Sequence, residues 1–488
     1  MSVDYDLIVV GAASVGRYAA LSASQQGARV ALVVPPATEP RSALLLHHLM
    51  QINSALRQQV WLTQFSEADG LATSESATNR LAADTASWSK LRQWVDALSE
   101  MQAISTSSDS LVKLAAAGVE VIEAAAMFEQ RPVYRRLRLG LAVAGRWLRA
   151  PAYLLTPTLQ AAVPPIDGLA ATEFVTLDGL WQQPWQPLPP RVVILGVDPR
   201  GIALAQVLNR LGVQVTLITS SKLLPQHDPD LCAMLQAYLE AEGVTVLTQT
   251  QVRQVTQGER RINVQTGSQT FETDVIVLAM APELNLAQLN LSAAKVKWQP
   301  DRIVVNHKLQ TSNPRIYACG DCLGGLSSVG LDRYEADVAL FNALFLPLKQ
   351  VNYLHVPLAV FTDPQVVSIG LSESRARALY GAEVLVVKQS YKSLLKAQIR
   401  DDTTGFLKLI AHRNGSILGA HCFGSEASEW ISTITLAMQR QLKLDALTQL
   451  PLLSPTLAEL MQQTAAELQQ QHRQRDLLET WFNFRRGR

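Results

Sequence analysis

Residues 7–16 read Leu7-Ile8-Val9-Val10-Gly11-Ala12-Ala13-Ser14-Val15-Gly16: four apolar residues, then at once a turn of small ones. Residues 17–26 carry a helical pattern, Gly27 stops it, and residues 28–34 are a second apolar run. Strand, turn, helix and strand in that order make a β-α-β unit. Glycines in such a turn let the backbone approach a pyrophosphate lying at the helix N-terminus. Gly11 and Gly16 stand at the first and third glycine positions, Ala13 at the second, and Ser14 beside it. The pattern returns after a Pro-rich stretch at 181–190. Residues 192–195 read as a strand, 196–201 as a turn closed by Gly196 and Gly201, 202–211 as a helix and 213–219 as a strand. Two such units in one chain predict an α/β protein with two Rossmann-like dinucleotide-binding domains.

Outward from the two units, 488 residues leave room for about three domains. Residues 42–58, 85–101 and 109–117 read as helices and 119–122 as a strand, with further buried strands at 274–279 and 315–318. From Val351 the chain alternates strands and helices without glycine-rich turns, which predicts a C-terminal α+β domain. Residues 456–481 read as a helix ending in an aromatic, basic tail at 481–486. A chain that is 48% hydrophobic and 17% charged has ample material for a core. Its 43 Lys+Arg and 42 Asp+Glu give a net charge of +1, so no one-sign field draws nucleic acid or an anionic membrane. The apolar stretch 137–155 is broken by Arg146 and Arg149, and none approaches the roughly 20 residues of a membrane span. No basic segment leads an apolar one at the start, and four cysteines make no disulfide framework, so a cytoplasmic protein is expected. The eight histidines show no ligand spacing, and the adjacent His47 and His48 diverge on a helix, so no metal is expected.

Ile316-Tyr317-Ala318-Cys319-Gly320-Asp321-Cys322 is followed by Val356-Pro357, Phe361-Thr362-Asp363-Pro364 and Ser368-Ile369-Gly370. Then come Phe406-Leu407-Lys408-Leu409-Ile410 and Leu418-Gly419-Ala420-His421. In this order, from about residue 5 to about residue 465, the chain resembles the pyridine nucleotide–disulfide oxidoreductases. The resemblance implies an FAD-binding domain in residues 1–183 and 284–350 and an NAD(P)-binding-like domain in 184–283. It also implies a dimerisation domain in 351–466, hence a homodimer, with 467–488 as a helical tail. It implies FAD as cofactor, with Gly11, Ala13, Ser14 and Gly16 at the pyrophosphate and Ala126 near the adenine. Asp321, after Gly320, would accept a hydrogen bond from the ribityl chain.

Several positions depart from the family's pattern. Val34 replaces the acidic residue that binds the adenosine ribose, and Thr156-Pro157-Thr158 replaces a flavin turn. The segment bearing the family's CxxxxC pair is missing, since residues 35–40 are Pro-rich and 40–45 resemble the family's stretch just past the second cysteine. Ser42 matches the lysine beside the flavin. Ser454 stands for the catalytic histidine, while its orienting glutamate survives as Glu459, expected to be a surface or helix residue. In the second unit Asp198 sits where a pyrophosphate should lie, Ala203 replaces a glutamate, and Met280-Ala281 replaces a Gly-Arg pair. Ser220, Ser221 and Lys222 could hold a 2′-phosphate but read more simply as a loop. Cys319 and Cys322 form a CxxC that could be redox-active, although packing is the stronger reading. The expectation is an FAD-binding oxidoreductase-like protein without disulfide reductase chemistry and without ordinary NAD(P) binding. Its catalytic residues, and its electron-transfer partner or small-molecule acceptor, stay unassigned. The alternative is a non-catalytic dimeric scaffold or regulator descended from such an enzyme.

Overall fold

The computed structural model describes residues 3–35 and 111–486, with breaks at 12, 134–135, 158, 186, 282, 285, 287–288 and 326–327. Three single residues, Ile52, Gln93 and Ala97, are also described, each helical. The helices expected over 42–58 and 85–101 otherwise lie outside the described residues, as do Ser42, His47, His48 and the stretch 36–45.

Two parallel sheets repeat one topology. The first runs Glu120–Glu123, Val30–Val34, Leu7–Val10, Ala152–Leu155, Ile316–Ala318, all parallel. The second runs Thr245–Leu247, Gln214–Ile218, Arg191–Leu195, Val275–Leu278, Phe174–Thr176, again all parallel. Each is centred on the strand that feeds a glycine turn. Central strands covered on both faces must be apolar throughout, and Leu7–Val10 is buried at every position. One face of the first sheet packs against Ala19, Ala20 and Ala23 of the helix Ser14–Gln25 and Ala336 and Ala339 of the helix Val329–Leu344.

The turns leave each strand in the same way. Gly11 has φ +149° and Gly196 φ +123°, conformations that side chains rarely adopt. A Cβ on Gly11 would fall 1.9 Å from the carbonyl oxygen of Thr156, and one on Gly196 2.0 Å from that of Ala279. Only glycine lets either turn cross so close to the neighbouring strand.

The third sheet is antiparallel: Leu358–Val360, Gln365–Gly370, Ile417–Gly424, Phe406–His412, Val384–Ser390. One face is covered by Trp430, Ile431 and Ile434 of the helix Ala427–Gln439 and by Leu460, Met461 and Leu468 of the last helix, Glu459–Arg486. Val360, Val366, Phe406 and Phe423 join the core of the second domain, so the two bodies share apolar packing. Among the described residues no helix is long and apolar enough to cross a membrane.

Candidate functional site

The first turn ends in an open helix N-terminus. Ala13 is the N-cap of Ser14–Gln25, makes no side-chain capping bond, and no acidic residue follows in the first turn. The Gly16 and Arg17 N–H groups donate to the Ala13 carbonyl at 2.9 and 3.3 Å. The amides ahead of them, at Ser14 and Val15, are among the four that an α-helix cannot satisfy internally. Together with the dipole of a 12-residue helix they suit an anion. The methyl of Ala13 is no obstacle to the turn, because φ is −60° there, which any residue adopts.

Gly320 closes onto this turn from the other side. It has φ +80°, and a Cβ there would fall 2.9 Å from Cγ1 of Val15. Asp321 therefore starts its short 3-10 turn (Asp321–Leu323) beside the helix N-terminus. Gly11, Ala13, Ser14, Gly16, Gly320 and Asp321 are thus brought together. Ala126 is not: it is buried on the opposite face of the sheet, with Ile8 and Val10, whereas Val15 packs with Leu7 and Val9.

Two carboxyls at this junction escape a reading by motif. The Gly320 N–H donates to Oε2 of Glu335 at 2.7 Å, and the Tyr353 hydroxyl donates to Oε1 at 2.9 Å. Burial, with Asp321 adding to it, raises Glu335 to about 7 against those two hydrogen bonds. Burial, then the charges of Asp321 and Glu335, raises Asp332 to about 8. The signal in the sequence was the i, i+3 spacing of 332 and 335, which places both on one side of a helix. Both groups hold protons in the folded chain that the unfolded chain has released between about pH 4 and pH 8. Stability should therefore fall as pH rises across that window. Asp332→Asn is expected to flatten the fall and to raise the thermal midpoint at pH 8.5 by roughly 2–5 °C. Thermal unfolding of both proteins at pH 6 and 8.5 checks this, and equal slopes would refute it.

Cys319 and Cys322 are both fully buried. The Cys322 thiol donates to the Cys319 carbonyl at 3.3 Å, and burial first pushes both thiols well up, with Cys322 and then carboxylates adding at Cys319 and carboxylates adding at Cys322. Neither has the character of a reactive thiolate.

The second turn is filled by its own side chains. Asp198 caps the helix Pro199–Arg210, accepting from the Arg200 N–H at 2.9 Å. It also accepts from Arg200 Nε at 2.9 Å and Nη2 at 2.6 Å. The repulsion expected of a bare carboxylate at this position is therefore largely neutralised. Ala203 is buried in the second domain's core. The Ser221 hydroxyl donates to the Lys222 carbonyl at 2.9 Å and the Ser221 N–H to Thr219 Oγ1 at 3.2 Å, an internally bonded loop. Glu459 accepts from the Thr456 N–H at 2.8 Å at the start of the last helix, and so serves there as a helix residue. Among the described residues no group of three His, Cys, Asp or Glu could hold a metal.

The family model for pyridine nucleotide-disulphide oxidoreductases matches residues 5–336, and the model for that family's dimerisation domain matches 356–465. The chain is 28% identical over 464 residues to a dihydrolipoyl dehydrogenase of Bacillus subtilis, covering 93% of this chain and 96% of the relative. It is 26% identical over 453 residues to a mercuric reductase of Staphylococcus aureus, covering 91% and 79%. In fold it is similar to LpdA from Mycobacterium tuberculosis, with TM-score 0.79 and 21% identity, over 95% of this chain and 99% of that one. These relatives overturn the expectation of an oxidoreductase-like protein outside disulfide reductase chemistry, and equally the non-catalytic scaffold. The expectation against NAD(P) is not supported either, since the matching family is one of pyridine nucleotide enzymes. One physical reason lies in the second turn, where the substitution that looked like damage is accommodated by the pairing of Asp198 with Arg200.

Proposed function

The chain belongs to the pyridine nucleotide-disulphide oxidoreductase family, and from that premise we propose that it is a homodimeric FAD enzyme that takes electrons from NADH or NADPH and reduces a small disulfide. The observation that carries the proposal is the uncapped N-terminus of Ser14–Gln25 with Asp321 set beside it, in a chain matching a dihydrolipoyl dehydrogenase along its length. The amides of Ser14 and Val15 would hold the pyrophosphate, with Gly11, Ala13 and Gly16 allowing its approach, and Asp321 would accept from a ribityl hydroxyl. Ala126 is assigned to the adenine end by resemblance alone. Bound FAD would supply the two-electron carrier. No cysteine stands between Val34 and Leu45, so this chain brings no thiol pair to the acceptor from that segment, and the buried Cys319 and Cys322 remain packing residues. Asp332 and Glu335, protonated near neutral pH, keep protons in store beside Asp321. Relatives that are mercuric reductases favour mercuric ion as a second acceptor.

The visible spectrum of the purified protein, with the heat-released cofactor identified by chromatography, tests the first half. About one FAD per chain is expected. Anaerobic addition of NADH or NADPH should bleach it, and lipoamide or mercuric ion should restore the colour. A protein that stays colourless after incubation with FAD sinks the proposal, and a bleached one that neither acceptor reoxidises removes its second half.

A further inference from the structure

A cavity of about 530 Å³ opens where the three domains meet. The first domain contributes Ile303, Leu323 at the end of the 3-10 turn Asp321–Leu323, and Leu331 of the helix Val329–Leu344. The second contributes Gln226, from the loop ahead of the helix Pro229–Glu242. The third contributes Val356 and Leu358, where the chain enters its sheet. Clefts of this size between domains are common places for small ligands. Two further lining side chains stand partly in water, Val304 at 39% and Tyr353 at 47% exposed. An occupant would cover that apolar surface, and each part so covered favours binding.

The charge of the lining is one-sided. Arg302 lines the cavity and is exposed, and among the described residues no carboxylate pairs with it. Its Nε donates to Gln299 Oε1 at 2.8 Å, which holds the guanidinium by one side and leaves its two Nη groups as a fork. With its oxygen engaged, Gln299 has amide N–H groups to offer, and Gln226 adds a second amide. Glu335 is the one carboxyl among the described lining residues. Both of its oxygens already accept hydrogen bonds, from the Gly320 N–H and the Tyr353 hydroxyl. Burial raises it to about 7, so at neutral pH it carries only part of a negative charge. An apolar chamber with one unmatched guanidinium and amide donors fits a molecule with an apolar body and a single carboxylate.

We propose that this cavity is a binding site for a small apolar carboxylate, whose carboxylate lies on the Nη fork of Arg302 beside Gln299 and whose body packs against Leu323, Leu331, Val356 and Leu358. The site uses none of the residues assigned to FAD, so the inference does not rest on that reading.

Calorimetric titration of the full chain, with and without added FAD, tests this with two probes of one shape: 3-phenylpropionate and its neutral amide, 3-phenylpropanamide. The acid is expected to bind with Kd at or below about 1 mM, the scale for a ligand of that size. The amide should bind about tenfold more weakly or worse, since it forgoes the charge-assisted contact. Arg302→Gln, an exposed substitution, should bring the acid down to the level of the amide, whereas Arg302→Lys should keep part of the preference. Val356→Phe narrows the chamber and should remove binding of both probes. A wild type that binds neither probe overturns the proposal, as does a preference for the acid below threefold or one that survives intact in Arg302→Gln. Undiminished acid binding by folded Val356→Phe places the ligand elsewhere and also overturns it. Should Val356→Phe fail to fold, Arg302→Gln decides alone. If added FAD abolishes acid binding, the cavity is part of the flavin site and this inference falls while the FAD reading stands. A protein that takes up the acid but no FAD keeps this inference and loses that reading.

Discussion

Replacing Lys408 with alanine is expected to destabilise the protein by about 3–5 kcal/mol, the scale for breaking a buried ion pair from one side. Lys408 lies on Phe406–His412 with its side chain 6% exposed, and Asp228 opposite it is 0% exposed. Its Nζ donates to Asp228 at 3.1 and 3.3 Å and to Asp230 at 3.2 Å, and it pairs with Glu373 at 2.7 Å. Burial alone would lower the ammonium, but Glu373, Asp228 and Asp230 raise it, so it stays charged across neutral pH. Asp228 is also the N-cap of Pro229–Glu242 and accepts from the Glu373 N–H at 3.2 Å. One carboxylate thus joins a helix of the second domain to a strand and a helix start of the third, and without Lys408 its charge is buried without a cation. The pair Lys408→Met with Asp228→Asn should recover part of the loss, because both charges leave together. Denaturant unfolding of the two singles and the double checks this. Single losses below about 1 kcal/mol would show that water reaches the site and that the clamp contributes little.

What the sequence made legible was local. Gly11 and Gly196 were readable because a strand feeding a turn too close for any Cβ leaves a glycine next to an apolar run. The second unit's strands, read at 192–195 and 213–219, are observed at Arg191–Leu195 and Gln214–Ile218. The pairing of Lys408 with Asp228 was not readable, since 180 positions separate them and the motif around Lys408 says nothing of its partner. Asp198 was legible as a charge in the wrong place, but its neutralisation depends on a rotamer of Arg200 that curls back two residues, and spacing does not specify rotamers. The inference from missing residues to missing chemistry failed for a related reason. Ser454, Val34 and the lost cysteine segment were weighed against one family arrangement. The retained parts, an open helix end and a carboxylate beside it, were given less weight than the losses, whereas a relative matched along the chain is a dihydrolipoyl dehydrogenase.

Asp321→Ala should separate cofactor affinity from stability, moving them in opposite directions. If the carboxylate accepts a hydrogen bond from the ribityl chain, its loss removes a charge-assisted contact worth roughly 1.5–3 kcal/mol. That corresponds to about 10- to 150-fold weaker FAD binding, enough for most of the flavin to be lost during purification. The same carboxylate is a cause of the raised values at both Asp332 and Glu335. Removing it lets both neighbours ionise more easily, so the flavin-free variant should lose less stability between pH 6 and pH 8.5 than the flavin-free wild type. Asp321→Asn keeps an acceptor without the charge and should fall between the two in FAD affinity. Its stability gain should match that of the alanine variant, because only the charge matters there. Fluorescence titration with FAD and thermal unfolding of the flavin-free proteins measure the two arms. A variant that loses flavin and stability together at every pH would mean that Asp321 holds the turn rather than the cofactor. The proposed site would then rest on the helix N-terminus at Ser14 alone.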